Sequence, residues 1–439
     1  MRRLFKKIMV GVLTWEARAV LRKYQPRIVA VTGSVGKTST KDAVYAVLAQ
    51  SYHVRKSEKS FNTEVGLPLT ILGCPNAWSN PFRWLRNIVD GLFLIIFPSR
   101  YPTWLVLEVG ADRPGDIRST ARWLPVDIAV ITRLPEVPVH VEFFDSPQAV
   151  VEEKAALVNA LKPSGTLVLF ADDERAGLFA ARAQARGNAV VTFGLSAAAD
   201  VRGVNGTVLY QAQTGGTSGL GWPIGMSMHI EVNGAGAPVS LVGSVGSHTL
   251  LPAIAAAAVG RVLGKDLPGI VAALQHYDPP AGRMRLIAGV KDTLIIDDTY
   301  NSSPAAVVAG LDALVGVKPK RSIAVLGDML ELGRHSVEEH RKIGAYAAQK
   351  ADLLVTVGFR ARDSAEAALD NGLSDSAILQ FEDAYKAGDE LERMLQAGDC
   401  VLVKGSQSMR MERVVEQLMA EPERAAELLV RQDTEWKRR

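Results

Sequence analysis

Lys37 and Thr38 close the run Thr32-Gly33-Ser34-Val35-Gly36-Lys37-Thr38-Ser39, where residue type and spacing point most directly to chemistry. An apolar strand, Ile28 to Val31, runs into this glycine turn, and a helix is predicted from Lys37 to Gln50. In that context the turn aims backbone N–H groups and the positive end of the helix dipole at a phosphate. Gly33, Ser34, Gly36, Lys37, Thr38 and Ser39 are therefore expected to hold nucleotide phosphates. Lys37 would reach the outer phosphates, and the Thr38 hydroxyl would ligate magnesium. The general G-x-x-x-x-G-K-[ST] spacing is not met, because Val31 stands where the first glycine belongs. The competing reading is a purely structural glycine turn, but the strand before and the helix after supply the context a phosphate loop needs.

Further groups sit where an open α/β sheet gathers function, beyond the carboxyl ends of strands. Glu108 ends the strand Thr-Trp-Leu-Val-Leu-Glu and reads as a magnesium ligand or as a cap on the next turn. Asp112, in Gly110-Ala-Asp-Arg-Pro-Gly-Asp, reads as turn chemistry. His140 lies in a proline-rich loop near Asp145, and Lys154 within a helix. Taken alone, the first reads as a surface histidine and the second as a solvated lysine. Farther on, Asp297, Asp298 and Asn301 crowd one strand end and suit ribose hydroxyls and adenine. Arg283 could reach across a cleft and neutralise phosphate charge in the transition state. Gly327-Asp328-Met-Leu-Glu331 repeats the strand-end arrangement, while His335 and His340 read as structural.

The elements that must position these groups are legible from periodicity. Compact apolar runs at 103–109, 126–132, 165–170 and 189–193 suit parallel strands buried on both faces, with helices predicted at 147–161 and 176–186. Residues 201–245 change texture and read as an antiparallel excursion at the sheet edge. After Pro279-Pro280 a second alternating block begins, with strands at 293–297, 322–326, 353–357, 378–381 and 400–404. The expected architecture is α/β, in three parts. A basic amphipathic helix occupies residues 1–27, a parallel-sheet ATPase domain with the phosphate loop 28–281, and a Rossmann-like domain 282–439. The charged tail from Arg431 is expected to fray.

A length of 439 residues, 48% hydrophobic and 22% charged, is that of a globular chain with more than one core. The formal net charge of +3 gives no reason to expect nucleic acid as a partner. Cys74 and Cys400 are too far apart to suggest a disulfide framework or a zinc site, which fits a reducing cytosol. Residues 2–24 and 83–100 combine basic and apolar side chains but are too short in their apolar parts to span a bilayer. They read either as helices packed on the domain or as peripheral contacts with a membrane surface.

Together these segments resemble the Mur ligases, the ATP-dependent amide-forming enzymes of peptidoglycan-precursor synthesis. The likeness rests on the phosphate loop, Asn62-Thr-Glu-Val-Gly-Leu-Pro-Leu-Thr, Leu107-Glu-Val-Gly-Ala-Asp-Arg-Pro-Gly-Asp, and His140-Val-Glu-Phe-Phe-Asp. It continues in Asp297-Asp-Thr-Tyr-Asn-Ser-Ser-Pro, Gly327-Asp-Met-Leu-Glu-Leu-Gly and Lys404-Gly-Ser. The branch it most resembles adds D-alanyl-D-alanine to a muramoyl tripeptide.

The resemblance implies ATP and two Mg²⁺ ions, with Thr38, Glu108, His140 and Lys154 at the metals and Lys154 carbamylated by CO₂. It implies substrate contacts from Asn62, Asp328, Glu331, Lys404 and Ser406. The expected partners are a muramoyl-peptide-like acceptor and a D-Ala-D-Ala-like dipeptide, with the chain monomeric and cytoplasmic. Alternatives are a divergent ligation on another peptide-like or lipid-linked substrate, a catalytically weak partner in a cell-wall complex, or a regulatory P-loop ATPase. Departures from the family pattern are Thr249 where Asn is usual, and about 27 residues before the phosphate-loop strand where a UDP-binding domain is usual. Weak dependence on the uridine moiety is the expectation that follows.

Overall fold

The apolar runs of the first block become one nine-stranded sheet. Its strands are β1 (Arg27–Thr32), β2 (Val54–Lys56), β3 (Trp104–Glu108), β4 (Val126–Ile131), β5 (Leu161–Phe170), β6 (Ala189–Gly194), β7 (Val201–Tyr210), β8 (Pro223–Val232) and β9 (Ala235–Val242). They lie in the order β2-β3-β1-β4-β5-β6-β7-β8-β9. Pairing is parallel from β2 to β7 and antiparallel across β7, β8 and β9. This is a computed structural model, describing residues 2–58, 62–78, 80–138, 140–211 and 221–438, with side chains from residue 8 onward.

Register decides where the chemistry gathers. Val31 pairs with Glu108, and Thr32 with Ile131, so β1, β3 and β4 end side by side. One face of the sheet is covered by α2 (Lys37–Ala49) and the helix Leu251–Val262, which bury Val44, Val47, Leu48 and a run of alanines. The other face carries α1 (Arg2–Tyr24), α3 (Gly66–Leu72), α4 (Pro81–Ile96), α5 (Asp116–Ala121) and α6 (Pro147–Ala155).

The second sheet comprises β10 (Arg285–Gly289), β11 (Thr293–Asp298), β12 (Arg321–Gly327), β13 (Leu353–Val357), β14 (Ile378–Phe381) and β15 (Asp399–Lys404). Their order is β10-β11-β15-β12-β13-β14, parallel except for β10. Asp298 and Lys404 are register partners, which brings a carboxylate and an ammonium to one strand end.

Three expectations need correction. The helix predicted over 147–161 ends at Ala155, passes through a 3₁₀ turn and yields to β5 at Leu161. β10 was not foreseen; it is a five-residue edge strand that also bridges Ser244 to Arg285. The tail does not fray at Arg431, whose guanidinium is buried against Glu412 at 2.7 Å and donates to the Thr299 and Tyr300 carbonyls. Trp436 follows in a short helix, edge-on to Trp78.

Of the two readings of the N-terminal helix, packing accounts for one face of α1. Leu13, Ala17, Val20 and Leu21 are buried at helical spacing. Glu16 is also fully buried, and neither carboxyl oxygen has a hydrogen-bond partner. Burial pushes its pKa up to about 7. A raised folded-state pKa means stability present at acid pH is lost as pH rises from the ordinary carboxylate range through 7. Glu16→Gln removes that titration. We expect the variant to gain on the order of 2 kcal/mol over the parent at pH 8, and little at pH 4.5. Melting curves at the two pH values check this, and a gain equal at both would contradict it.

Candidate functional site

The phosphate loop is shaped by two glycines. Gly33 has φ 143°, and a Cβ there would lie 1.9 Å from Thr132 Oγ1. Gly36 has φ 84° and starts α2 from the left-handed region, where only glycine is unstrained. The Ser34 and Val35 N–H groups donate to the Arg133 carbonyl, so they are committed within the protein. An anion would therefore be held by the first-turn amides of α2, at Lys37, Thr38 and Ser39, which have no intrahelical acceptor. The Ser34 hydroxyl is buried without a partner on the same side.

Beside the loop, Thr38 Oγ1 donates to Glu108 Oε2 at 2.9 Å, and Asn62 Nδ2 donates to Glu108 Oε1 at 3.1 Å. This holds the carboxylate of β3 next to the first turn of α2. Among the described residues no three His, Cys, Asp or Glu side chains converge as an all-protein metal cage. A hydroxyl and a carboxylate next to a phosphate loop fit Mg²⁺, which takes few protein ligands and completes its shell with phosphate oxygens and water.

α6 delivers Lys154. Its neighbour Glu153 is buried and accepts from the Ile117 and Arg118 N–H groups at the start of α5, which fixes the turn of the helix. Lys154 is thereby turned inward and is 2% exposed. Burial, then the nearby Lys37 charge, lowers its pKa to about 7. Burial likewise lowers the pKa of Lys37, with Glu108 opposing and Arg283 reinforcing.

His140 and Glu331 meet across the gap between the two sheets. His140 Nδ1 lies 2.7 Å from Glu331 Oε2, an approach not aligned as a hydrogen bond, and Nε2 lies 3.7 Å from Asp112 Oδ1. Both residues carry positive φ, 72° and 64°, a conformation that costs a non-glycine residue energy. The Glu331 carbonyl also accepts from the Glu142 N–H.

One cleft of about 560 Å³ collects these groups. Ser34, Gly36, Lys37, Ser39, Asn62, Glu108, His140 and Lys154 line it from the first sheet's side. Arg283, Asp298, Asn301, Glu331 and Lys404 line it from the second. Gly33 and Thr38 sit just behind the lining, in the loop wall. Lys404 Nζ donates to Asp298 Oδ2 at 2.6 Å and to the Asn301 carbonyl at 2.8 Å, so this carboxylate arrives already paired.

Asp328 and Ser406 lie outside the lining. Asp328 Oδ1 accepts from the Ala361 N–H and Ser406 Oγ from the Leu330 N–H. Their side chains hold the loop that presents Glu331. His340 is a core residue; its Nε2 accepts from the Met329 N–H and its Nδ1 lies 2.8 Å from the Ser336 carbonyl.

The residue reading missed several cleft residues, four of them ionisable side chains of particular interest. Asp112 was assigned to the turn, but Asp116 caps that turn through the Asp112 and Arg113 N–H groups, leaving the Asp112 carboxylate facing His140. Arg133, His248 and Tyr277 also line the cleft. Burial lowers the His248 pKa to about 4, so it presents a neutral imidazole. The run Gly246-Ser-His248, whose glycine takes φ 104° in the fold, was the available signal.

Residues 31–82 and 92–260 match the Mur ligase middle domain, and 282–407 match the Mur ligase glutamate ligase domain. The UDP-N-acetylmuramoyl-tripeptide–D-alanyl-D-alanine ligase of Mycobacterium tuberculosis is 31% identical over 416 residues, covering 90% of this chain and 73% of the relative. That of Bacillus subtilis is 29% identical over 412 residues, covering 92% and 79%. MurF of Thermotoga maritima, solved in complex with ADP, superposes with a TM-score of 0.75 at 28% identity, covering 95% of this chain and 85% of that one. The matched segments contain every cleft residue discussed above except Tyr277, which lies between them. This chain belongs to the Mur ligase family.

Proposed function

We propose that the protein is an ATP-dependent carboxylate–amine ligase that joins D-alanyl-D-alanine to a muramoyl-peptide acceptor. The observation that carries this reading is the convergence of Lys37, Lys154 and Arg283 with Glu108 and Asp112 in one cleft between the two sheets. In the proposed reaction the acceptor carboxylate attacks the γ-phosphorus of ATP, giving an acyl phosphate and ADP. The amine of the dipeptide then attacks the acyl carbon, the C–O bond to phosphate breaks, and the amine loses its proton as the amide forms.

Lys37 and Arg283 approach the transferring group from opposite walls and stabilise the charge that develops on its oxygens. Asn301 and the paired Asp298 would hold the nucleoside end. Thr38, Glu108, His140 and Lys154 would hold two Mg²⁺ ions, which when bound neutralise charge on the phosphate oxygens. In this reading residues 28–281 form the ATPase domain, 282–439 the domain that closes over it, and 1–27 an accessory helix. We place the enzyme, as a monomer, in the cytoplasm with peripheral membrane contact through residues 2–24 and 83–100.

The test is ADP and phosphate release, with product mass measured, for muramoyl tripeptides in UDP-linked, lipid-linked and free forms. Release that requires both acceptor and D-Ala-D-Ala is expected. ATP hydrolysis indifferent to both would overturn the assignment and favour a regulatory ATPase.

Glu331 is assigned as the carboxylate that orients His140 toward metal, since an outer carboxylate fixes the ring of a ligating histidine. Glu331→Ala should weaken Mn²⁺ binding in the presence of ADP by about 10-fold, read as free Mn²⁺ by electron paramagnetic resonance. Unchanged Mn²⁺ affinity would remove Glu331 from that role.

A further inference from the structure

α4 is built inside out. Phe82, Leu85, Val89, Leu92, Phe93 and Ile96 recur at the spacing of a single helix face. That face is turned to solvent, with Phe82 81% and Ile96 66% exposed. The residues α4 fully buries are Asn87 and Gly91. Asn87 donates its amide to the Pro75 carbonyl, and Gly91 rests on the Glu16 carboxyl, where a Cβ would come within 2.4 Å of Oε2.

Both ends of the helix are fastened. Asn80 caps the start by accepting from the Phe82 and Arg83 N–H groups. At the other end Lys23 Nζ donates to the Leu94, Ile95 and Phe97 carbonyls. The outward orientation of the stripe is therefore held by these polar contacts and by Trp84, Leu94 and Ile95, which pack half-buried against the core on the opposite face. An apolar stripe in a core would face the other way.

Charge is segregated onto the same region. Residues 2–24 and 81–100 contain ten lysines and arginines against Glu16 and Asp90, a formal net of +8. The whole chain is only +3, so everything else is net −5. On α4 the side chain of Arg86 is 82% exposed beside the stripe. The neighbouring α1 exposes Trp15, an aromatic suited to the interface between headgroups and acyl chains.

We infer that α4 is a membrane-reading element that lies in the plane of an anionic phospholipid bilayer. The stripe enters the boundary between headgroups and acyl chains, and Arg83, Arg86 and Arg100 face lipid phosphates. A cationic rim around an apolar face is complementary to that surface. A two-fold contact with a second copy would set the basic rim against itself. No helix among the described residues is long and apolar enough to cross a membrane, so the contact is peripheral. This deepens the membrane placement proposed above by naming the lipid chemistry and the residues that read it, and it requires nothing of the ligation chemistry.

Flotation of the full chain with vesicles tests it, comparing equal-part phosphatidylglycerol–phosphatidylcholine vesicles with phosphatidylcholine alone. Wild-type protein should float with the anionic vesicles and be released by salt. The variant Phe82→Glu/Phe93→Glu/Ile96→Glu and the variant Arg83→Glu/Arg86→Glu should each bind at least about 10-fold more weakly. Both should keep the wild-type melting temperature, because these side chains are exposed. Equal flotation with both vesicle types, or unchanged flotation of the stripe variant, overturns the inference. So does a wild-type dimer that the stripe variant converts to monomer, which assigns the face to a second copy. Flotation needs no turnover. A protein that floats without ligating contradicts the proposed function, and one that ligates without floating contradicts only the lipid contact.

Discussion

Lys37→Ala should lower the ligation rate by on the order of 10²-fold or more, a loss of at least about 2.7 kcal/mol in transition-state stabilisation. Lys37 stands at the start of α2, and burial, opposed by Glu108 and reinforced by the nearby Arg283 charge, already weighs against its protonation. That cost is repaid only when phosphate arrives. Removing the ammonium therefore takes nothing from the resting fold, and the melting temperature of the unliganded variant should match or exceed the parent. What should disappear is the thermal shift produced by ATP with magnesium. Near-normal turnover in Lys37→Ala would sink the phosphate-loop assignment. A lost thermal shift with retained turnover would separate ground-state binding from catalysis.

Much of this site was readable because its carriers are strand ends. A strand buried on both faces is a continuous apolar run, and the first polar residue after it marks where chemistry can sit; Glu108 and Asp298 were found that way, while Lys404 came only with the family resemblance. The direction of a side chain at such a position is not in the run. Asp328 and Ser406 also follow buried strands, yet their oxygens turn back onto the Ala361 and Leu330 N–H groups. Asp112 was misread for the opposite reason, since the turn it belongs to is capped by another aspartate, Asp116. The tail was misjudged because Arg431 finds its counter-charge in Glu412, and composition alone cannot reveal a pairing on another element. β10 was missed because five residues at a sheet edge give too little alternation to separate them from a linker. For α4 the mixture of basic and apolar residues was plain, but the side on which the apolar face lies depends on packing partners far away in the chain.

Lys154 is the residue whose chemistry is hardest to guess and whose substitution is expected to be most revealing. An ammonium there is disfavoured by burial and by the nearby Lys37 charge, with Asp112 and Glu153 opposing, and bound magnesium would repel it further. Burial lowers its pKa to about 7, so near neutral pH a large fraction is free amine. The amine nitrogen can add to the carbon of CO₂ and lose one proton, leaving an N-carboxylate. That would convert the cation into an anionic oxygen donor able to ligate magnesium. The fraction converted should grow as pH rises through 7, because the free amine is the reacting form. Lys154→Ala should then lose at least about 10²-fold in rate and recover in part with a small carboxylic acid such as acetate, which can occupy the vacated space. Lys154→Arg keeps the volume and the charge but cannot form the carbamate, so acetate should leave it inactive. The added acid thus separates a missing carboxylate from a missing cation. An unmodified ammonium in crystals grown with bicarbonate, combined with an active Lys154→Ala enzyme, would refute the carbamate.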